Sequence, residues 1–145
     1  MKTNTLGKTG LEVSCLGVGQ AERMDLQVTK SNIDEVGAVL GTALDRGINF
    51  IDTAACYGNS EELIGEFLSH RRSEYFLATK CGGSDKGHIW TKQNCISTFE
   101  NSLKRLKTDV IDIMQLHNPS VDECVSGNLV EALQEMKQTG KVHWI

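Results

Sequence analysis

Short apolar runs alternate with helical patterns along this chain. Four stretches repeat apolar residues at three- and four-residue steps, which places those residues on one face of a helix. These faces are formed by Ile33, Val36, Leu40, Ala43 and Leu44; by Leu63, Ile64, Phe67 and Leu68; by Ile96, Phe99, Leu103 and Leu106; and by Leu129, Val130, Leu133 and Met136. The runs INFID, YFLATK, DVIDIMQLH and VHWI are apolar nearly throughout, as strands of a covered parallel sheet are. The pattern therefore predicts repeated strand–helix units.

Turn and capping residues bound these predicted elements. Ser31 is expected to cap the first helix, and Gly47 to end it in a left-handed turn. Ser60 is expected to open the second helix, and Gly140 to close the last one. The opening TLGKTGLEVSCLGVG carries two glycine turn signals. It predicts a small β-hairpin followed by a first buried strand over residues 15–19.

Two architectures fit alternating strands and helices: an open doubly wound sheet and a (βα)8 barrel. An open dinucleotide-binding sheet should carry GxGxxG after its first strand, whereas GVGQAE lacks the third glycine. Polar residues instead follow several different strands, where barrel enzymes keep their chemistry. We therefore predict an α/β fold: parallel βα units of a TIM-type (βα)8 barrel, about its first half, preceded by the hairpin.

Charge and cysteine usage narrow the class of protein. The formal net charge of −4 gives no reason to expect a nucleic-acid partner or an anionic membrane. No run approaches the ~20 apolar residues of a membrane span, and the opening residues lack the apolar stretch of a secretory signal. The five cysteines form no CxxC pair, which favours free thiols and a cytoplasmic location. His70, His88 and His143 show no metal-ligand spacing, so no metal is expected.

Four polar residues stand where predicted strands run into their loops: Asp52, Tyr57, Lys80 and His117. Taken singly, each has an ordinary structural explanation, such as a capping aspartate or a lysine that reaches solvent. Taken together, they occupy the same end of three consecutive strands or their loops, which indicates an active site. A desolvated Lys80 would need a carboxylate, and Asp52 on the adjacent strand is the natural partner.

Two cysteines flank these candidates. Cys56 precedes Tyr57, and Cys81 follows Lys80. A reactive thiol beside Lys80 is conceivable. We expect both cysteines to be small apolar fillers, since most cysteines near a core are.

The segments NFIDTAACYGNSEELIGEFL, LATK and DIMQLH resemble the three signature segments of the aldo-keto reductases. The opening LGKTGLEVSCLGVG and the stretch LVEALQEMKQTGKVHWI are similar to that family as well, so the resemblance runs through the whole chain. It implies a (βα)8 barrel that reduces aldehydes and ketones with a nicotinamide cofactor, NADP(H) in preference to NAD(H). By the same resemblance Asp52, Tyr57, Lys80 and His117 correspond to the catalytic tetrad.

The resemblance also implies a role for each residue. Tyr57 would act as general acid toward a small carbonyl substrate. Lys80, paired with Asp52, would favour the phenolate form. His117 would orient the carbonyl oxygen. Gly19, Gln20 and Asp52 fall where the family contacts the nicotinamide end of its cofactor.

The chain supplies about half of the ~250 residues that such a barrel needs. The family's main cofactor-binding half is therefore absent from it, and open sheet edges would remain. We expect a truncated single domain over residues 1–145 that is a fragment of a longer enzyme. The alternatives are two copies that pair through open edges and a catalytically incompetent or regulatory binding subunit.

Overall fold

A computed structural model of the chain describes residues 1–19, 32–82 and 89–145. It opens on an antiparallel hairpin of β1 (Thr3–Thr5) and β2 (Glu12–Ser14). The hairpin is tied to the main sheet through Asn49, whose Oδ1 accepts the Ser14 N–H at 2.6 Å and whose N–H donates to Ser14 Oγ at 3.0 Å. The predicted N-terminal hairpin is therefore confirmed.

Five parallel strands form the main sheet: β3 (Val18–Gly19), β4 (Phe50–Asp52), β5 (Phe76–Cys81), β6 (Ile111–Leu116) and β7 (Val142–Trp144). They lie side by side in chain order, β3-β4-β5-β6-β7. A doubly wound sheet would reverse its strand order at a switch point, whereas a barrel adds each strand on the same side. The sheet is thus a sector of a (βα)8 barrel, as the sequence predicts.

Five α-helices connect these strands within the described ranges: α1 (Ile33–Asp45), α2 (Ser60–Leu68), α3 (Lys92–Arg105), α4 (Val121–Ser126) and α5 (Leu129–Gln138). A 3₁₀ turn, Ser69–Glu74, follows α2. None of the helices in these ranges is long and apolar enough to cross a bilayer.

The ends of several elements test the capping predictions. Gly47 and Gly140 do follow α1 and α5 with positive φ angles of 81° and 75°. Ser31 lies outside the described residues, and Asn32 is the residue that precedes α1. The first barrel strand is shorter than predicted, with two residues in place of 15–19.

Helix α4 has no counterpart among the sequence predictions. Its signal is a capping box: Ser120 Oγ accepts the Glu123 N–H at 3.2 Å, and Glu123 Oε2 accepts the Ser120 N–H at 2.7 Å. This reciprocal pair satisfies backbone donors that a helix start leaves open. A Ser-x-x-Glu spacing in the sequence could have found it.

The core lies between the sheet and the helices that cover it. Ile51, Leu77 and Met114, one from each of the three central strands, are fully or almost fully buried. They pack in one cluster with helix residues such as Ile64 of α2 and Phe99 of α3. Burial of apolar surface on the outer side of the sheet thus fixes the strands and leaves their other face for chemistry.

One carboxylate is buried within this outer layer. Glu61, in the first turn of α2, is 1% exposed. Its Oε1 accepts from Thr79 Oγ1 of β5 at 2.6 Å, and its Oε2 lies 2.6 Å from Arg105 Nη2 at the end of α3. The charge is therefore paired and hydrogen-bonded, which is the condition for burying it. It joins two helices and a strand.

Removing the partner of this carboxylate should destabilise the fold. In Arg105→Met the Glu61 charge stays buried without its guanidinium, and we expect a loss of about 3–5 kcal/mol in the free energy of unfolding. Urea unfolding followed by circular dichroism measures it. The matched control is Lys107→Met, which removes the exposed ion pair to Glu66 between the same two parts of the chain and should change little. Equal effects of the two variants would contradict this role for Glu61.

Candidate active site

Strand register brings three polar side chains to one face of the sheet. Asp52 at the end of β4 pairs with Ala78 in β5, and Lys80 pairs with Gln115 in β6. Because side chains alternate along a strand and paired residues point the same way, Asp52, Lys80 and Gln115 share a face. Their intervening neighbours carry the apolar core on the other face.

The Lys80 ammonium and the Asp52 carboxylate form an ion pair. Lys80 Nζ donates to Asp52 Oδ2 at 2.6 Å and to the carbonyl oxygen of Thr53 at 2.8 Å. Gln115 Nε2 donates to Asp52 Oδ1 at 3.3 Å. The lysine side chain is 15% exposed and that of Asp52 35% exposed. The ammonium is therefore largely desolvated and held in one position, as expected from its place at a strand end.

A tight turn after β4 delivers Tyr57 to the same place. The Tyr57 N–H donates to the carbonyl oxygen of Ala54 at 3.0 Å, and the Ala55 N–H donates to that of Lys80 at 3.2 Å. The loop is thus hydrogen-bonded to the strand end that bears the lysine. Lys80 Nζ lies 5.3 Å from the centroid of the half-buried Tyr57 ring. At this distance a cation is attracted to the face of an aromatic ring.

His117 closes the group from the end of β6. The backbone N–H of His117 donates to the carbonyl oxygen of Cys81 at 3.0 Å, which extends the pairing of β5 with β6 by one residue. The imidazole ring is buried and meets the Tyr57 ring edge-on, with centroids 5.3 Å apart and planes at 85°. The structure therefore brings Asp52, Tyr57, Lys80 and His117 together at one rim of the sheet.

Sequence reasoning overlooked two further residues of this group. Gln115 donates a hydrogen bond to the second carboxylate oxygen of Asp52. The sequence feature that could have identified it is its position two residues before His117, which places both side chains on the same face of the strand. Cys56 was interpreted as an apolar filler, and that interpretation is wrong, because Cys56 Sγ lies 2.9 Å from His117 Nδ1. The sequence feature that could have identified Cys56 is its position directly before Tyr57.

Cys81 behaves differently from Cys56. It is completely buried at the end of β5. A hydrogen bond with Cys95 and burial together raise the pKa of the Cys81 thiol. A protonated and inaccessible thiol is a poor nucleophile. The structure thus gives Cys81 a packing role, as the sequence analysis expected.

Two of the predicted cofactor contacts, Gly19 and Gln20, are the last residue of the first strand of the sheet and the residue that comes next in the sequence. Gly19 ends β3, pairs with Asp52, and has no atom of the described residues within 4 Å of the position that a Cβ would occupy. Gly19 is exposed, and a backbone without a side chain beside the Asp52 carboxylate is compatible with the nicotinamide end of a cofactor. Gln20, the other predicted contact, lies outside the described residues. Among the described residues no group of three or more His, Cys, Asp or Glu side chains could hold a metal ion.

Comparison with known proteins decides the family. The sequence model of the Aldo/keto reductase family matches residues 15–145. The chain belongs to this family. Aldo-keto reductases use nicotinamide cofactors.

The similarity to individual aldo/keto reductase relatives extends over all or most of this chain. The chain is 35% identical to an L-galactose dehydrogenase of Arabidopsis thaliana, over 100% of its own length and 47% of that protein. It is 33% identical to a probable voltage-gated potassium channel subunit beta of the same plant, over 82% of its length and 38% of that protein. The chain therefore spans less than half of the length of either relative.

A solved structure of the family also matches this chain over about half of its own length. The holo form of the aldo-keto reductase AKR11C1 from Bacillus halodurans superposes with a TM-score of 0.85 at 33% sequence identity. The match covers 99% of this chain and 49% of that one. The described strands and helices are thus the counterpart of about half of an aldo/keto reductase barrel.

The ion pair at the centre of the site should be measurable as a coupling energy. A double-mutant cycle with Asp52→Asn and Lys80→Met should give a stabilising coupling of about 1–2 kcal/mol in the free energy of unfolding, because the pair is charged and mostly shielded from water. The cycle is measured by urea unfolding. Effects that add within ~0.3 kcal/mol would show that the two groups do not interact.

Proposed function

We propose that this chain carries the catalytic residues of an oxidoreductase that reduces an aldehyde or ketone to an alcohol. The observation that supports it most is the contact of the Tyr57 ring with both the Lys80 ammonium and the His117 imidazole. A phenol between a cation and an imidazole can give up a proton and leave its charge stabilised. The substrate class is a small carbonyl compound.

In this proposal Tyr57 is the general acid. An ordinary phenol holds its proton too tightly for rapid donation at neutral pH. Lys80 offsets this because its positive charge favours the phenolate that remains after donation. Asp52 and Thr53 keep the ammonium in place through the two hydrogen bonds at 2.6 and 2.8 Å. The proton passes from the Tyr57 hydroxyl to the oxygen of the reduced carbonyl.

His117 holds the substrate oxygen in this proposal. A buried imidazole that donates a hydrogen bond at the rim stabilises negative charge as it develops on that oxygen. The backbone hydrogen bond to Cys81 fixes the end of β6 that carries the ring, and the ring itself contacts Tyr57 and Cys56. Fixed donors of this kind need no rearrangement when the reaction occurs.

A nicotinamide cofactor supplies the hydride when it is bound. The residues that would contact its nicotinamide end are Gly19, Asp52 and, outside the described residues, Gln20. We propose NADP(H) in preference to NAD(H) on the strength of the family resemblance. A cytoplasmic location likewise stays a prediction from cysteine usage.

The phenol can be tested with a matched pair of variants. Tyr57→Phe should lower NADPH-dependent carbonyl reduction by about 10²–10⁴-fold, because it removes the proton donor. Tyr75→Phe is the control: Tyr75 is buried, and its hydroxyl has no hydrogen-bond partner among the described residues, so turnover should persist. Steady-state assays use millimolar NADPH, because a chain with only the nicotinamide contacts should bind the cofactor weakly.

The same pair of variants can be placed in a longer chain. A chimaera joins residue 145 to the second half of the Bacillus halodurans enzyme, which supplies the rest of a barrel. Turnover that survives Tyr57→Phe in either protein would rule out Tyr57 as the general acid.

A binding subunit is the second candidate function. The similarity to a probable potassium channel subunit beta favours it.

Light scattering after size exclusion and NADPH fluorescence titration separate the two candidates. A defined dimer that binds no cofactor would support the binding subunit. A monomer with saturable cofactor binding would contradict it.

A further inference from the structure

The thiol of Cys56 and the imidazole of His117 form a contact that the proposed reaction does not use. The two residues are 61 positions apart in the chain, and Sγ lies 2.9 Å from Nδ1. We propose that Cys56 is a positioning residue, whose thiol keeps the proton of His117 on Nε2. Its relevance to catalysis rests on the function proposed above.

The chemistry of the contact favours this proton arrangement. A neutral imidazole carries one N–H, and the unprotonated nitrogen is a good acceptor. A thiol is a weak donor but an even weaker acceptor, so the S–H···Nδ1 direction is preferred over Nδ1–H···S. Donation by the thiol leaves the ring proton on Nε2. Transfer of the thiol proton to Nδ1 would leave both nitrogens protonated, so Nε2 keeps its proton in that case as well.

Two further contacts restrain the residue that presents its Nδ1 edge to Cys56. The backbone of His117 is tied to Cys81 at 3.0 Å, and its ring stands edge-on against Tyr57. With Nδ1 turned to the thiol, Nε2 is the nitrogen on the opposite edge of the ring. A hydrogen bond at one ring nitrogen sets the tautomer and therefore what the other nitrogen can do.

Cys56 and the proposed general acid, Tyr57, are neighbours in the chain. Cys56 directly precedes Tyr57 in the turn after β4, so one short loop positions both the phenol and the thiol. A displacement of that loop would move the proton donor and release the tautomer of His117 at the same time. The position of the Tyr57 hydroxyl and the tautomer of His117 are thereby coupled through the peptide unit that joins Cys56 to Tyr57.

Nitrogen-15 NMR of the histidine side chains tests the proposal on the chain without cofactor or substrate. At pH about 8, well above the ordinary histidine pKa of ~6.5, the wild type should show His117 with its proton on Nε2. His117→Asn assigns the signal among the four histidines. Cys56→Ala should shift the ratio of the two tautomers toward the Nδ1–H form by roughly fivefold, the equivalent of one net hydrogen bond.

Two further variants separate positioning from packing. Cys56→Ser keeps an O–H donor and should retain the wild-type tautomer. Cys15→Ala removes an exposed thiol of the N-terminal segment and should leave His117 unchanged. A wild-type proton on Nδ1 would overturn the proposal even if Cys56→Ala failed to fold, and so would a ratio unchanged in a folded Cys56→Ala.

These outcomes are independent of turnover. A chain that reduces no carbonyl compound but shows the Cys56-dependent tautomer would reject the proposed reaction and keep this inference. An active chain whose tautomer ignores Cys56 would do the reverse.

Discussion

The ion pair between Lys80 and Asp52 is the interaction on which the rest of the site depends. It forms because β5 extends beyond the end of β4: Lys80 lies two residues after the strand partner of Asp52, on the same face as that carboxylate. A lysine this poorly hydrated would be costly without its partner. The ammonium in turn faces the phenol. Strand register thus determines where the positive charge stands relative to the Tyr57 ring.

The fold follows largely from local sequence. Period-3.6 patterns locate the longer helices, and continuous apolar runs locate β4, β5 and β6, because burial on the outer side of the sheet decides both. The misses are short elements. Helix α4 buries no residue of its own and depends on its Ser120–Glu123 cap, and β3 is held by two residues. Hydrophobic periodicity carries little information about such elements.

The site was predictable only in part. Asp52, Lys80 and His117 end apolar runs, and such polar residues at strand ends are visible in a sequence. Gln115 and Cys56 also stand at suggestive positions, but their roles are not visible in a sequence, since each acts on a partner that only folding brings close. Interactions between residues 61 or 63 positions apart depend on register and loop path, which local patterns do not specify.

The buried Glu61 has a consequence for the rim that carries Tyr57 and Lys80, although it lies on the other side of the sheet. The carbonyl oxygen of Tyr57 accepts the Ser60 N–H at 2.9 Å, so the turn that carries the phenol runs straight into the first residues of α2. Glu61, the next residue, anchors that helix end to Thr79 of β5. Thr79 immediately precedes Lys80, and the phenol and the ammonium are therefore aligned by a shared anchor behind them. The outer layer of the barrel sets the distance between two groups that it never touches.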